Sequence, residues 1–416
     1  MPEPTHIIGT RNTLTIEQSQ RIPDVDDKIF LLEPGESPLT AFLTQIGKIG
    51  DGGGKFKGMA LQKRVVYNPE FTEYEDSYSG VWAQINYGAG YNSSATDLVI
   101  DNPGGSIFTK YDLIKNTRTG EIMRVTAVNY STHTITVTRG AGATAAAAIN
   151  DNDWLLIIGP AFEEGSKSGD SNTTKLVKVT NYTQIFKTKF GVTETENASK
   201  LYPSGSPGAD LKYLRAKHGI EQAKKIERAY WFGEKKEVTG PDGKPLRITG
   251  GVLEAIISAG NVQDEASSAL TEAEFRSFLQ NYAFKFGSSE KYFFCGNTIL
   301  GYLESFATGK LYLTPNDKTF GVEVRKYQSS FGTLNIVRHP MFDNQYAGMG
   351  VVLDLSTLKH CPLNGRDTSL ETNIQDNDAD EEMDQYKTEV GLQRVNFEKN
   401  ALWRYRMFSF VTIISN

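Results

Sequence analysis

The chain is poor in the residues that build reactive centres. Its 416 residues hold two cysteines, Cys295 and Cys361, and five histidines, His6, His133, His218, His339 and His360. Two thiols cannot make a disulfide framework. Buried free thiols in a reducing cytoplasm are the expectation, with a single bridge as the alternative. No histidine stands at metal-ligand spacing from another histidine or from a cysteine, so zinc-type patterns are absent. No run of about 18 apolar residues occurs, so no membrane-spanning helix is predicted, and the polar residues 1–11 predict no signal peptide.

An excess of positive charge is missing as well. Lys and Arg total 44 against 50 Asp and Glu, a net charge of -6. A protein that grips nucleic acid by neutralising phosphates needs a basic face or tail. Only short clusters occur, Lys224-Lys225 with Arg228 and Lys235-Lys236, and each reads as a solvated helix face. Contact with nucleic acid is expected to be loose and non-specific. Nucleotide and nucleophile signatures fail too. Gly50-Asp51-Gly52-Gly53-Gly54-Lys55 resembles a phosphate loop, but Phe56 stands where Ser or Thr is required, and the segment reads as a hinge. Gly140-Ala141-Gly142 and Gly348-Met349-Gly350 lack the third glycine of a dinucleotide fingerprint, and no Gly-x-Ser-x-Gly elbow exists.

What the chain does have is core-forming material. Apolar residues make up 39% and aromatics 11%, enough for two or three lobes, one of them inserted in another. The 39 glycines and 15 prolines spread along the chain predict many turns and much β structure. Residues 1–55 read as an extended arm, with Ile29-Phe30-Leu31-Leu32 as an apolar patch, a short helix over 39–49 and the glycine hinge. Such an arm gains order by lying on a neighbouring subunit. Strand-like pieces follow at 63–67 and 71–78.

A compact segment, about 95–165, holds β-branched runs at 97–100, 121–128, 134–139 and 154–158, separated by turn residues. It reads as a barrel or sandwich of four to six strands, with Ala145–Ala148 as a loop or one helical turn. Alternation resumes over 176–190, as expected of a strand returning from an excursion that leaves near 55. Residues 208–236 are the best helix, with Leu211, Leu214, His218 and Gln222 on one side and Ile220, Ala223, Ile226 and Tyr230 on an adjacent one. Asp210 and Lys235-Lys236 suit its dipole, and its length is about 40 Å at roughly 1.5 Å per residue. Thr271-Glu272-Ala273-Glu274 carries a helix-start signature ahead of Phe275, Phe278, Leu279 and Tyr282. Tyr292–Cys295 reads as a buried strand, 297–306 as a helix, and 334–338 and 350–354 as strands. Residues 252–362 thus form an α+β or α/β lobe.

The acidic stretch Asp376, Asp378, Asp380, Glu381, Glu382, Asp384 opens like a calcium loop. However, its sixth position is Glu381 and its twelfth Lys387, where glycine and glutamate are needed. It reads as a solvated loop, with a lattice site for a divalent ion or a neighbour's Arg or Lys as the lesser alternative. His218 reads as half-buried packing, and His339-Pro340 as an extended turn. No catalytic, cofactor-binding or metal-binding residue is assigned.

Two stretches carry a resemblance. One runs Asn116-Thr117-Arg118-Thr119-Gly120-Glu121-Ile122-Met123-Arg124-Val125-Thr126, then Thr136-Val137-Thr138-Arg139-Gly140, closing at 157–165. The other runs from His339-Pro340 through Val352-Leu353-Asp354 to Asp384-Gln385-Tyr386-Lys387-Thr388-Glu389-Val390-Gly391-Leu392. With the order of arm, β extension, long helix, α/β lobe and β-rich close, the chain resembles the major capsid proteins of tailed bacteriophages with the Hong Kong 97-type fold. The resemblance implies an α+β fold: N-arm 1–55, E-loop 56–190 carrying a β-rich insertion at about 95–165, peripheral domain 191–250 with a spine helix at 208–236, axial domain 251–365, and a return to the peripheral domain over 366–416. It implies a non-enzymatic shell protein made in the host bacterial cytoplasm, assembling as hexamers and pentamers into an icosahedral or prolate head around double-stranded DNA. A separate scaffolding protein, a portal and decoration proteins are the implied partners, and no membrane. Candidate inter-subunit contacts are Ile29, Phe30 and Leu31 in the arm and Tyr74, Tyr78 and Trp82 in the loop. The alternative is another virion part, a tail or decoration protein whose β module binds a surface ligand.

Overall fold

A computed structural model of the chain describes residues 39, 63–101, 104–166, 172–199, 209–265, 270–307, 314–319 and 322–405. Ile29, Phe30, Leu31, the expected helix beyond Leu39 and the glycine hinge lie outside the described residues. The chain divides into two compact units, Tyr74–Lys178 and the segments on either side of it.

The inserted unit is a six-stranded sheet. Its order is Trp82–Gln84, Trp154–Pro160, Asp112–Asn116, Ile122–Asn129, Thr134–Thr138, Asp97–Val99, and every pairing is antiparallel. The two outermost strands continue into Ile85 and Ile100, which bridge one another. Asn86 N–H donates to the Val99 carbonyl at 2.9 Å and Asp101 N–H to that of Gln84 at 3.0 Å. This bridge closes the sheet on itself and leaves no long open edge. Alternate residues point inward: Ala83, Ile85, Leu98, Ile114, Met123, Val125, Ile135, Val137 and Leu155 fill the interior. The unit extends beyond the 95–165 limits drawn from strand runs. Trp82–Gln84 is too short to alternate visibly, and only its pairing with Trp154–Pro160 reveals it. Ala145–Ala148 is loop.

In the larger unit a seven-stranded mixed sheet has the order Val262–Glu265, Ala401–Tyr405, Met349–Leu353, Glu290–Cys295, Thr333–Arg338, Val322–Gln328, Thr314–Thr319. Its central strands are buried on both faces. Tyr292, Phe294, Val337, Val351, Leu353 and Leu402 enter one core; Phe293, Cys295, Leu334, Ile336, Val352, Ala401 and Trp403 enter the other. Burial on both faces is why these strands read as unbroken apolar runs. The first core also takes Ile226, Tyr230 and Trp231 of the long helix and Val252 and Ile256 of the helix Val252–Ser258. The second takes Phe275 and Phe278 of the helix Glu272–Phe278, and Ile299 and Leu303 of the helix Asn297–Ala307.

The long helix spans Ala209–Phe232 and ends before Lys235-Lys236, so those lysines do not cap its dipole. Ile220, expected on a packed face, is exposed, whereas Glu227 and Gln222 are buried. The helix lies on the strand Gln184–Thr193, whose Phe190 and Val192 pack with Leu211. Gln222 knits the two together: it accepts from Thr188 Oγ1 at 2.6 Å and donates to the Phe186 carbonyl at 3.2 Å and Thr388 Oγ1 at 3.0 Å. Gln184–Thr193 pairs along ten residues with the strand Glu381–Arg394, whose other side carries Leu358–Pro362 and Ser369–Glu371.

Three expectations are corrected. Residues 63–67 are no strand: Val66 alone bridges Leu363, with Arg64 N–H also donating to the His360 carbonyl at 2.9 Å. Residues 176–190 form two strands, Val177–Tyr182 and Gln184–Thr193, broken at Thr183, whose N–H donates to the Pro69 carbonyl at 2.7 Å. The last strand, Ala401–Tyr405, joins the sheet of the lobe drawn at 251–365, although the sequence placed it in the return segment.

Candidate assembly surfaces

The inserted unit's outer face is where the sequence-predicted loop residues fall. Tyr78 is fully exposed at 101%, Tyr74 is 66% exposed and Trp82 is 49% exposed. Trp82 and Trp154 stand on adjacent strands and meet edge to face, with centroids 6.3 Å apart and planes at 87°. Because Ala83 and Leu155 point into the barrel, their neighbours Trp82, Trp154 and Leu156 must point out. Ile158 continues the row and is exposed. Beside it Tyr111 packs on Phe162, centroids 5.2 Å apart, with the Arg124 guanidinium 5.1 Å from the Tyr111 centroid. Two half-exposed indoles alone present on the order of 200 Å² of apolar surface, and patches of a few hundred Å² mark contact sites on soluble proteins. Sequence reasoning missed Trp154, Ile158 and Phe162 in this strip. No sequence signal marked them, because Trp82 pairs with Leu156 and Gln84 with Trp154, and only that register sets the two indoles side by side on the outer face.

The strip is held rigid from within. Glu121 is fully buried and takes a two-pronged grip from Arg139, Nε to Oε1 at 2.9 Å and Nη2 to Oε2 at 2.7 Å. Gly140 and Ala147 N–H add bonds at 3.0 and 3.1 Å, and Arg139 Nη1 reaches the Asn92 and Ala95 carbonyls. Burial pushes the Glu121 carboxyl up, but Arg139 and the two backbone donors outweigh it and hold it below the usual range. Arg118 grips Asp153 in the same way and binds the Ala148 carbonyl. The two clasps, with the Tyr91–Ile149 bridge, tie down the 140–150 loop.

His218, His339 and His360 have packing partners within the fold. His218 stacks on Phe190 at 4.8 Å with its Nδ1 on Glu221, in line with half-buried packing. His360 Nδ1 lies 2.8 Å from Tyr230 Oη, and His339 is fully buried against Glu227 as the N-cap of a 3-10 turn, Pro340–Phe342. The acidic stretch is only partly a solvated loop. From Glu381 onward it is strand, and Asp384 is fully buried, bonded by Arg215 Nε at 2.6 Å within the same chain. Alternation places Asp384 inward, and the Arg215 cation on the long helix makes that burial tolerable. Among the described residues no cluster of His, Cys, Asp and Glu could hold a metal ion.

Comparison with known proteins decides the identity. Residues 8–403 match the SU10 major capsid protein family. The chain belongs to that family. A major capsid protein of Pseudomonas phage PaMx41 is 28% identical over 291 residues, covering 67% of this chain and 68% of the relative. A solved structure from Mycobacterium phage Adephagia superposes over 94% of this chain and 97% of its own, with 11% identity and a TM-score of 0.43. One from Microbacterium phage Oxtober96 covers 59% and 80% respectively, with 13% identity and a TM-score of 0.41.

As an SU10-family major capsid protein the chain is a phage virion component that oligomerises into a shell, and it is no enzyme. The tail-or-decoration alternative gives way to this assignment.

Proposed function

We propose that the protein builds its shell with the Hong Kong 97-type plan, as hexamers and pentamers closing an icosahedral or prolate head around double-stranded DNA. In this reading residues 1–55 are the N-arm and 56–190 the E-loop. The closed β module is an insertion in that loop, residues 191–250 and 366–416 are peripheral except the strand Ala401–Tyr405, and 251–365 are axial and share their sheet with that strand. The paired strands Glu70–Glu75 and Val177–Tyr182, which flank the module in the chain, support the loop assignment. The observation that carries the assembly surface is the exposed strip of Trp82, Trp154 and Ile158, with Tyr74 and Tyr78 as further contacts. Ile29, Phe30 and Leu31 supply the arm's contacts. Individually weak contacts of this kind gain strength by repetition over a closed shell. The net charge of -6 fits loose contact with DNA, and a separate scaffolding protein, a portal and decoration proteins complete the partner set.

Light scattering and negative-stain microscopy on the purified protein, with and without co-expressed scaffold, test this. Rings of five or six, or shells tens of nanometres across, are expected. A discrete trimer or a monomer under all conditions overturns it.

A further inference from the structure

Among the described residues, the largest core comes from residues beyond 185 with Leu39 as the exception. Its side chain is fully buried, and its N–H donates to Glu227 Oε1 at 2.8 Å across 188 positions of sequence. Glu227 is itself fully buried on the long helix. The same oxygen accepts Trp231 Nε1–H at 3.2 Å, one turn further along, and lies 2.8 Å from His339 Nε2. His339 Nδ1 accepts Met341 N–H at 3.2 Å, which leaves Nε2 to donate to Glu227. Phe342 stacks on His339 at 4.6 Å and meets Trp231 edge-on at 4.7 Å, so both donors are locked by packing. Trp231 and His339 thus orient the carboxylate from the body of the unit. Leu39 adds a third donor and a leucine side chain.

We propose that Glu227, Trp231 and His339 form a preformed receptor for a short peptide segment that offers one leucine side chain and one backbone N–H, occupied here by Leu39 of the same chain. A buried carboxylate oxygen gains from each donor it receives, so the receptor discriminates for a backbone amide as well as for an apolar side chain. The site is a docking post for Leu39. Its consequence for assembly rests on the capsid reading above, whereas the binding does not.

The test uses the full chain. In the Leu39→Asp variant, trypsin is expected to cut after Lys28, Lys48 and Lys55 at least 10-fold faster than in wild type, at a temperature well below the melting of the variant's body. A fluorescent peptide of residues 36–42, Glu-Ser-Pro-Leu-Thr-Ala-Phe, is expected to bind Leu39→Asp saturably by anisotropy. It should bind neither wild type, where the site is filled, nor the double variant Leu39→Asp, Glu227→Ala. If Leu39→Asp does not fold, Leu39→Ala replaces it, with a cleavage gain of about 3-fold expected. Equal cleavage in wild type and variant, or equal peptide binding with and without Glu227, overturns the receptor. Shell formation by the same variants is scored separately: absence of shells in wild type counts against the capsid reading and leaves the receptor standing.

Discussion

Two buried charges show how single residues set the stability of this protein. Arg139 and Glu121 are each other's partner in the module, and removing one strands the other inside. Arg139→Ala is expected to destabilise the folded protein by about 3–5 kcal/mol, read as a lowered urea midpoint. The folded Glu121 carboxyl titrates below its ordinary value. The stability it contributes is therefore fully present above the ordinary carboxylate range and is lost as pH falls through the folded pKa. Urea midpoints of wild type should fall more steeply on acidification than those of Glu121→Gln.

Lys291 works in the opposite direction. It is fully buried, and its ammonium donates to the Ala283 and Phe286 carbonyls at 2.7 Å and to that of Lys399. Burial lowers its pKa to about 8, against a favourable pull from Asp354 and a further push from Lys399. Between that value and the ordinary lysine range the unfolded chain binds more protons than the folded one, so stability rises with pH there. The rise amounts to about 3 kcal/mol at roughly 1.4 kcal/mol per unit. Denaturant titrations from pH 7 to 10 should show it, and Lys291→Met should abolish the slope.

Elements follow from local chemistry where capping or close approach dictates it. Thr271 caps the helix Glu272–Phe278 through Glu274 N–H, and Glu274 returns a bond to the Thr271 N–H at 2.8 Å, the reciprocal box anticipated from Thr271-Glu272-Ala273-Glu274. Thr271→Ala should lower stability by about 1 kcal/mol, measured by thermal melting. Gly391 marks a different constraint. A β-carbon there would sit 2.6 Å from Phe71 and 2.7 Å from the Tyr182 carbonyl. Gly391→Ala must push the strand Glu381–Arg394 off those neighbours, at about 1–3 kcal/mol, seen in the same melting experiment. The strands Glu290–Cys295 and Met349–Leu353 were legible because burial on both faces leaves an unbroken apolar run. Trp82–Gln84 and the Val66 bridge were not, because their pairing partners lie some 70 and 300 residues away.

For the whole molecule, the decisive property is a surface. Trp82 and Trp154 stabilise little inside one copy, being half exposed, so the double variant Trp82→Ser, Trp154→Ser is expected to melt within about 1 kcal/mol of wild type. Its yield of shells should drop several-fold in light scattering and microscopy. A normal shell yield would move the assembly surface elsewhere. The arm residues Ile29, Phe30 and Leu31 can be tested in the same assay, separately from the module.

The sequence by itself determined the class of the protein and its parts. Local periodicity, caps and turns are short-range physics, so the β module, the long helix, the capped helix and the buried strands could be read along the chain. The order of those parts carried the family resemblance. Tertiary structure alone decided which residues meet. That the module closes through Ile85 and Ile100, that Asp384 turns inward to Arg215, and that Leu39 docks on Glu227 all depend on neighbours far apart in sequence. The exposure of the Trp82 and Trp154 pair is settled the same way. An indole on a strand looks alike in sequence whether it faces core or solvent, and only the register with Ala83 and Leu155 turns it outward.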